Sequence, residues 1–203
     1  MESSFVSTVK NFIKNCYEVS VFETAECAAK YLCEEIADMT VGFGDSATLL
    51  QMNLYDLLSE NNTVYDPQRT NDNASFLKTA AKCLETEIYI TSANAVTQNG
   101  EILNMDGTGN RVAASLFGHK KVYYVIGRNK ICSDISAGID RIKKIAAPQN
   151  AHRLALKTPC AIRGDKCYDC SSPDRICNAL LIQMKKMRNI LIEIILIDED
   201  LGF

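Results

Sequence analysis

The stretch "TVGFGDSATLL", Thr40 to Leu50, opens with a short apolar run, turns on two glycines and ends in helix-forming residues. That order spells a β-strand, a glycine turn and the start of a helix. Such a unit belongs in a parallel sheet, because the helix carries the chain back to begin the next strand in the same direction. The turn also has a chemistry. Backbone N–H groups at a helix start lie at the positive end of the dipole and suit a phosphate or carboxylate. Gly42, Gly44, Asp45 and Ser46 are therefore candidate ligand-binding residues, with Ser46 also placed to cap the helix. Against this, Asp45 repels a bare anion, and many strand–helix turns use glycine for backbone reasons alone.

Reading outward, the same alternation recurs. Phe5, Val9, Phe12, Ile13 and Cys16 fall at helical spacing, and "VSVF" is a short strand. Thr24 can cap a helix whose apolar face is Ala25, Ala28, Ala29, Leu32 and Ile36. The polar stretch "NNTVYDPQRTNDN" reads mostly as loop. Phe76, Leu77, Ala80, Ala81 and Leu84 mark a helix, and "EIYIT" a strand. "AVTQNGEIL" is a hairpin turning on Asn99-Gly100. "NRVAASLF" is helical and "KVYYVIG" is a buried strand. Ile131, Ile135, Ile139, Ile142 and Ile145 predict one long helix stopped near Pro148. "NALLIQMKK" and "NILIEIILID" close the chain as strands. The expectation is a single α/β domain over residues 1–203, a mainly parallel sheet with helices on both faces.

A chain of 203 residues, 47% hydrophobic and 23% charged, has the composition of a globular protein that folds without disulfides. "MESSFVSTVK" does not read as a signal peptide, and the apolar run "ILIEIILI" is too short to span a bilayer. These features predict a cytoplasmic protein with reduced thiols and no membrane partner. Net charge is −3, but it is unevenly spread. Residues 1–60 carry ten acidic and three basic side chains, residues 141–188 eleven basic and three acidic. The basic segment favours anions: thiolates, a substrate or an acidic partner. It lacks interleaved aromatic residues, which argues against nucleic acid.

Within that basic segment lies "TPCAIRGDKCYDCSSPDRICN", Thr158 to Asn178, holding four of the nine cysteines. Cys160, Cys167, Cys170 and Cys177 are spaced C-x6-C-x2-C-x6-C, with a central pair able to grip one ion from a single turn. Four thiolates suit tetrahedral zinc or an iron–sulfur cluster, and the competing reading is four buried, reduced thiols or a pair of incidental disulfides. Cys16, Cys27, Cys33, Cys83 and Cys132 are most simply core packing. A third candidate is the loop after the hairpin. Asn94, Asn104, Asp106, Gly107, Thr108, Asn110 and Arg111 crowd polar groups and glycines ahead of a helix. Arg111 in a first helical turn opposes the dipole, so another partner is expected to hold it. His119 and His152 have no neighbours at metal-ligand spacing, and there is no Ser-His-Asp signature, P-loop or G-x-G-x-x-G.

"TSANAVTQNGEILNMDGTGNRVAA", "KVYYVIGRNKI", "IAAPQNAHRL", the cysteine segment and "DEDLGF" together resemble the LUD-domain family of lactate utilization proteins. The resemblance implies the three-layer α/β/α sandwich of the ribose-phosphate isomerase and CoA-transferase-like superfamily. It implies participation in oxidising lactate to pyruvate, with iron–sulfur partner proteins, a small carboxylate or phosphate ligand and a cluster, 4Fe–4S in type, on the four cysteines. Zinc is the alternative. Further copies of the chain are also candidate partners. Two other functions stay open: a non-redox ligand-binding or regulatory module, and a transferase acting through the superfamily pocket. In related isomerases a carboxylate occupies the position matching Asn94. An amide exchanges no proton near neutral pH, so aldose–ketose isomerisation by that route is not expected.

Overall fold

In the computed structural model, the described residues are 3–203. Helices α1 (Ser3–Lys14) and α2 (Ala25–Glu35) flank β1 (Glu18–Phe22). Strand β2 (Thr40–Phe43) passes through the glycine turn into α3 (Ala47–Gln51) and α4 (Leu54–Ser59). Then come β3 (Thr63–Tyr65), α5 (Asn73–Cys83), β4 (Ile88–Thr91) and the hairpin β5 (Ala95–Thr97) and β6 (Ile102–Asp106). Next are α6 (Asn110–Ala114), β7 (Lys121–Gly127), β8 (Ile131–Cys132) and α7 (Ile135–Arg141). The chain continues through α8 (Ala147–Arg153), α9 (Pro159–Arg163), β9 (Ala179–Gln183) and β10 (Leu191–Ile197).

Six strands form one sheet in the order β1-β10-β7-β4-β2-β3, and every neighbouring pair is parallel. The central strands are covered on both faces, so they read as unbroken apolar runs. Tyr123, Val125, Ile195 and Ile197 face one side, against Ala28, Leu32, Leu49 and Leu58 of α2, α3 and α4. Val122, Tyr124, Ile126, Ile192, Ile194 and Leu196 face the other, against Phe5 and Phe12 of α1 and Val96 and Ile102 of the hairpin. Thr24 caps α2 as expected, its hydroxyl accepting from the Cys27 N–H.

Glu193 interrupts the apolar run of β10 and is 2% exposed. Lys121 Nζ pairs by charge with one carboxylate oxygen at 2.7 Å, and the Ser20 and Tyr31 hydroxyls donate to the other at 2.6 and 2.8 Å.

Three local readings are corrected. The hairpin and β9 leave the main sheet and, with β8, build a second sheet in the order β8-β5-β6-β9. The "TVY" of the polar stretch forms the edge strand β3, recruited by pairing with β2 rather than by its own composition. The isoleucine series does not make one helix. Ile131 and Cys132 are a strand beside β5, and the helix starts after Asp134, whose carboxylate accepts from the Ala137 N–H. Nor does Pro148 stop it. Proline has no N–H to give, and the chain passes it by widening the preceding turn: Ala147 N–H donates to Ile142, five residues back, in a π-helical segment. The helix then continues to Arg153. Among the five cysteines expected in the core, Cys83 is buried but Cys16 and Cys27 are exposed. No helix among the described residues is long and apolar enough to cross a membrane.

Candidate functional site

The strand order sets where a site can form. From β2 the chain goes one way to β3 and then returns to β4 on the other side, so a crevice opens beyond the carboxyl ends of these strands. A cleft of about 720 Å³ lies there. Asp45 follows β2, Pro67–Thr70 follow β3, and Asn94 follows β4. Asp106, Gly107, Thr108, Asn110 and Arg111 supply another wall, and Asn150 and Arg153 enter from α8 because the helix runs on past Pro148.

Asp45 is the electrostatic centre. Its Oδ2 receives a long bond, 3.4 Å, from the Asn110 amide, while its Oδ1 is buried with no hydrogen-bond partner among the described residues. Burial pushes its carboxyl up to about 6, against the opposing pull of the Arg111 charge. Arg153 feels both Asp45 and Arg111, and burial lowers its own pKa. One carboxylate and two guanidiniums thus share a partly desolvated space. The Tyr89 hydroxyl, buried behind Gly44, also lacks a partner among the described residues, and burial raises its pKa well above the usual value.

The opposition expected between Arg111 and the helix dipole is resolved locally. Asp106 Oδ2 accepts from the N–H groups of Arg111 and Val112, and Arg111 Nη2 donates to the Met105 carbonyl at 2.6 Å. The Arg111 Nε is 3.8 Å from Asp106. Asn94 fixes the base of the hairpin: its Oδ1 accepts from the Met105 N–H at 2.7 Å, and its own N–H donates to Asn104 Oδ1.

Of the sequence candidates, Asp45, Asn94, Asp106, Gly107, Thr108, Asn110 and Arg111 line the cleft. Gly42, Gly44, Ser46 and Asn104 do not. Gly42 packs on Cys83 and Thr86, and Gly44 on Tyr89 and Thr91. Ser46 is at the N-cap of α3 but its side chain makes no cap bond. Sequence reasoning missed Gln68, Phe76, Asn150 and Arg153, which also line the cleft. Gln68, Asn150 and Arg153 were signalled only by position, just past a strand end or within the basic segment, and Phe76 read only as the apolar face of a helix.

The cysteine loop is docked against this site. The Asn178 N–H donates to the Asp106 carbonyl at 3.0 Å, and its side-chain amide to the Gly107 carbonyl at 3.1 Å. Gly107 permits the contact, since a Cβ there would lie 2.8 Å from the Ile176 Cα. Ile176 itself lines the cleft. Burial raises the Cys177 thiol pKa, and the neighbouring Cys167 and Cys170 raise it further. Cys160 lies on α9, beside the Thr158 hydroxyl. Among the described residues no three ligating side chains are close enough to grip an ion as they stand. The donor set nonetheless has the chemistry of a four-thiolate centre, Cys177 lies within reach of the Cys167 and Cys170 charges, and the rest of the loop is free of long regular structure.

The raised Asp45 pKa makes a stability prediction. A folded value near 6 lies above the ordinary carboxyl value of about 3.9, so the folded state binds the extra proton between these limits and loses stability as pH rises through them. Asp45→Asn is expected to melt higher than the parent at pH 7 and about equally at pH 4. A lower melting point at pH 7 would show that the carboxylate is compensated after all.

The fold is similar to that of a DUF162 family protein from Deinococcus radiodurans, at 12% identity over 96% of each chain and a TM-score of 0.53. Ribose 5-phosphate isomerase from Plasmodium falciparum is 17% identical over 54% of this chain and 52% of its own, with a TM-score of 0.35. Ribose 5-phosphate isomerase A from Neisseria gonorrhoeae is 13% identical over 55% and 54%, with the same score. No curated protein sequence matches the chain. The LUD-domain model matches residues 7–197, nearly the whole length, and the chain therefore belongs to the LUD-domain family.

Proposed function

We propose that this lactate-utilization-type protein binds a small 2-hydroxy carboxylate in the cleft and holds an iron–sulfur cluster on Cys160, Cys167, Cys170 and Cys177. The observation that carries the reading is the buried, unpartnered Asp45 Oδ1 in the field of Arg111 and Arg153. A plain anion would be served by the guanidiniums alone, and Asp45 would repel it. A hydroxy acid uses all three groups. Its carboxylate pairs with a planar guanidinium fork, and its hydroxyl donates to Asp45. Asp45, with a pKa near 6, can then take the hydroxyl proton near neutral pH. A four-thiolate iron–sulfur centre supplies one-electron transfer when bound. The docking of Ile176 and Asn178 on the cleft wall supports a link between the two sites.

Calorimetric titration with L-lactate, D-lactate, propionate and inorganic phosphate tests the cleft. Lactate is expected to bind more tightly than propionate, which lacks the hydroxyl, and Asp45→Asn to erase that difference. Arg111→Lys is expected to lose about tenfold in lactate affinity, the worth of one charge-assisted hydrogen bond of about 1.5 kcal/mol. Unchanged affinity in Arg111→Ala, with the melting temperature preserved, overturns the reading. Structural zinc or free thiols in the loop is the second reading, motivated by the absence of a closed donor set among the described residues. Metal analysis decides it.

A further inference from the structure

Outside the cleft, one titratable group stands apart. Lys130, at the carboxyl end of β7, is 3% exposed. Its amine donates to the Thr48 hydroxyl at 2.7 Å and the Ser92 hydroxyl at 2.9 Å. Neither it nor the nearby Arg141 forms an ion pair among the described residues. Arg141 donates only to main-chain carbonyls: Asn129 at 3.0 Å, Asn94 at 2.5 Å and Phe203 at 3.2 Å. A buried cation is ordinarily matched by a carboxylate, and Lys130 has none among the described residues while a second cation lies close by. Desolvation, with the charges of Arg141 and Arg111, draws the amine down to about 7. These are the conditions that turn a lysine from a charge into a nucleophile.

A short strap covers the amine. Gly202, in the left-handed region at φ +63°, lies directly over it, and a Cβ there would collide with the Thr48 hydroxyl and sit 3.2 Å from Lys130 Nζ. The strap is held by Gly202 N–H to Gln51 at 2.8 Å, Leu201 N–H to Asn129 at 3.1 Å, the Phe203 main-chain oxygen on Arg141, and longer bonds at 3.4 Å from Thr48 to the Leu201 carbonyl and from Asn129 to the Gly202 carbonyl. Lifting it also draws Leu201, 8% exposed, out of the core. Behind Phe203 a second hollow of about 330 Å³ is lined also by Pro148, Gln149 and His152, and gives the strap room to move.

We propose that Lys130 is a Schiff-base-forming lysine for a small 2-oxo acid, reached when Leu201–Phe203 lifts. The Phe203 carbonyl oxygen now on Arg141 stands in for one oxygen of the substrate carboxylate, and the substrate carbonyl would face the amine. The amine lone pair forms the C–N bond. The nitrogen gives up its two protons, the carbonyl oxygen takes up two and departs as water, and an imine remains. No oxidant or reductant is consumed. The Thr48 and Ser92 hydroxyls, already bonded to the amine, are placed to pass the protons. This assignment uses neither Asp45 nor Arg153 and shares only the Arg111 charge with the cleft, so its labelling test is run without lactate.

The intact protein is incubated with pyruvate and cyanoborohydride, and the reduced adduct is mapped by peptide mass. Labelling is expected at Lys130 several-fold faster than at exposed lysines such as Lys144. Gly202→Ala, which crowds the strap off Thr48, should accelerate it further. Lys130→Met should abolish that adduct alone, with circular dichroism confirming the fold. Acetone, a ketone without the carboxylate, should label Lys130 more slowly than pyruvate when each rate is divided by that at Lys144. Equal ratios for the two would overturn the 2-oxo acid assignment. If Lys130 reacts no faster than exposed lysines in both the parent and Gly202→Ala, the nucleophile itself is wrong.

Discussion

Protein carrying Cys167→Ser or Cys170→Ser, purified without oxygen, is expected to contain no iron and no visible chromophore, while the parent and Cys83→Ser hold a full complement. The effect is all-or-none because each cysteine of a four-thiolate centre supplies one of four ligands, and a hydroxyl does not replace a thiolate on iron. The central pair is the sharpest place to cut, since both sulfurs must reach the same centre from one turn. Cys83 is the matched control. It is 3% exposed, its thiol donates to the Tyr65 carbonyl, and burial pushes its pKa up to about 12, so it is neither free nor ionised. Stoichiometric zinc without colour would assign the loop to structural metal. A parent with neither iron nor zinc would remove the metal from the proposal altogether.

Lys121→Met is expected to cost about 3 kcal/mol of folding stability, a large share of the roughly 5–15 kcal/mol a domain possesses. The cause is the charge left behind. Glu193 lies on β10 in mid-sheet with a side chain 3% exposed, and Lys121 is its cation at 2.7 Å. Burial alone would lower the Lys121 amine pKa, but its bonds to Glu18 and Glu193 outweigh that and raise it. A raised lysine contributes stability that is complete below the ordinary value of about 10.4 and lost only as pH rises through the folded value. The deficit should therefore be the same at pH 7 and pH 9. Urea denaturation measures it. Lys121→Met with Glu193→Leu should recover most of the loss, because an apolar pair needs no counter-charge. A single-mutant cost below about 1 kcal/mol would mean that water reaches the carboxylate.

Legibility followed the range of the forces. The alternation of apolar runs and amphipathic helices depends on neighbours in sequence, so β1, β2, β4, β7, β10 and the Asn99-Gly100 hairpin were readable. β3 was not, because three residues become a strand only where β2 offers them a ladder. Ile131 fits a helical period as well as its neighbours do, and only the edge of β5 makes it strand. In the site, the density of glycine and polar side chains marked Asp45 and the loop from Asp106 to Arg111. Arg153 and Gln68 gave no such mark, because each arrives from an element that folding alone brings to the crevice. Lys130 was hidden for the opposite reason: a lysine next to "GRN" reads as a solvated strand end, and the tertiary fold buries it.

The place of β10 has a consequence for synthesis. It lies between β1 and β7, yet among the described strands it is made after all the others. Until residues 191–197 leave the ribosome, β1 has no neighbour and β7 presents a naked apolar edge. The main sheet therefore cannot close on the growing chain, and β1 waits for a partner about 170 residues away, although α1 can already dock on the hairpin. Such distant pairing is slow, and the open edge is exposed to other chains in the interval. Nascent chains halted before β10 are the form of this protein that should need a chaperone most.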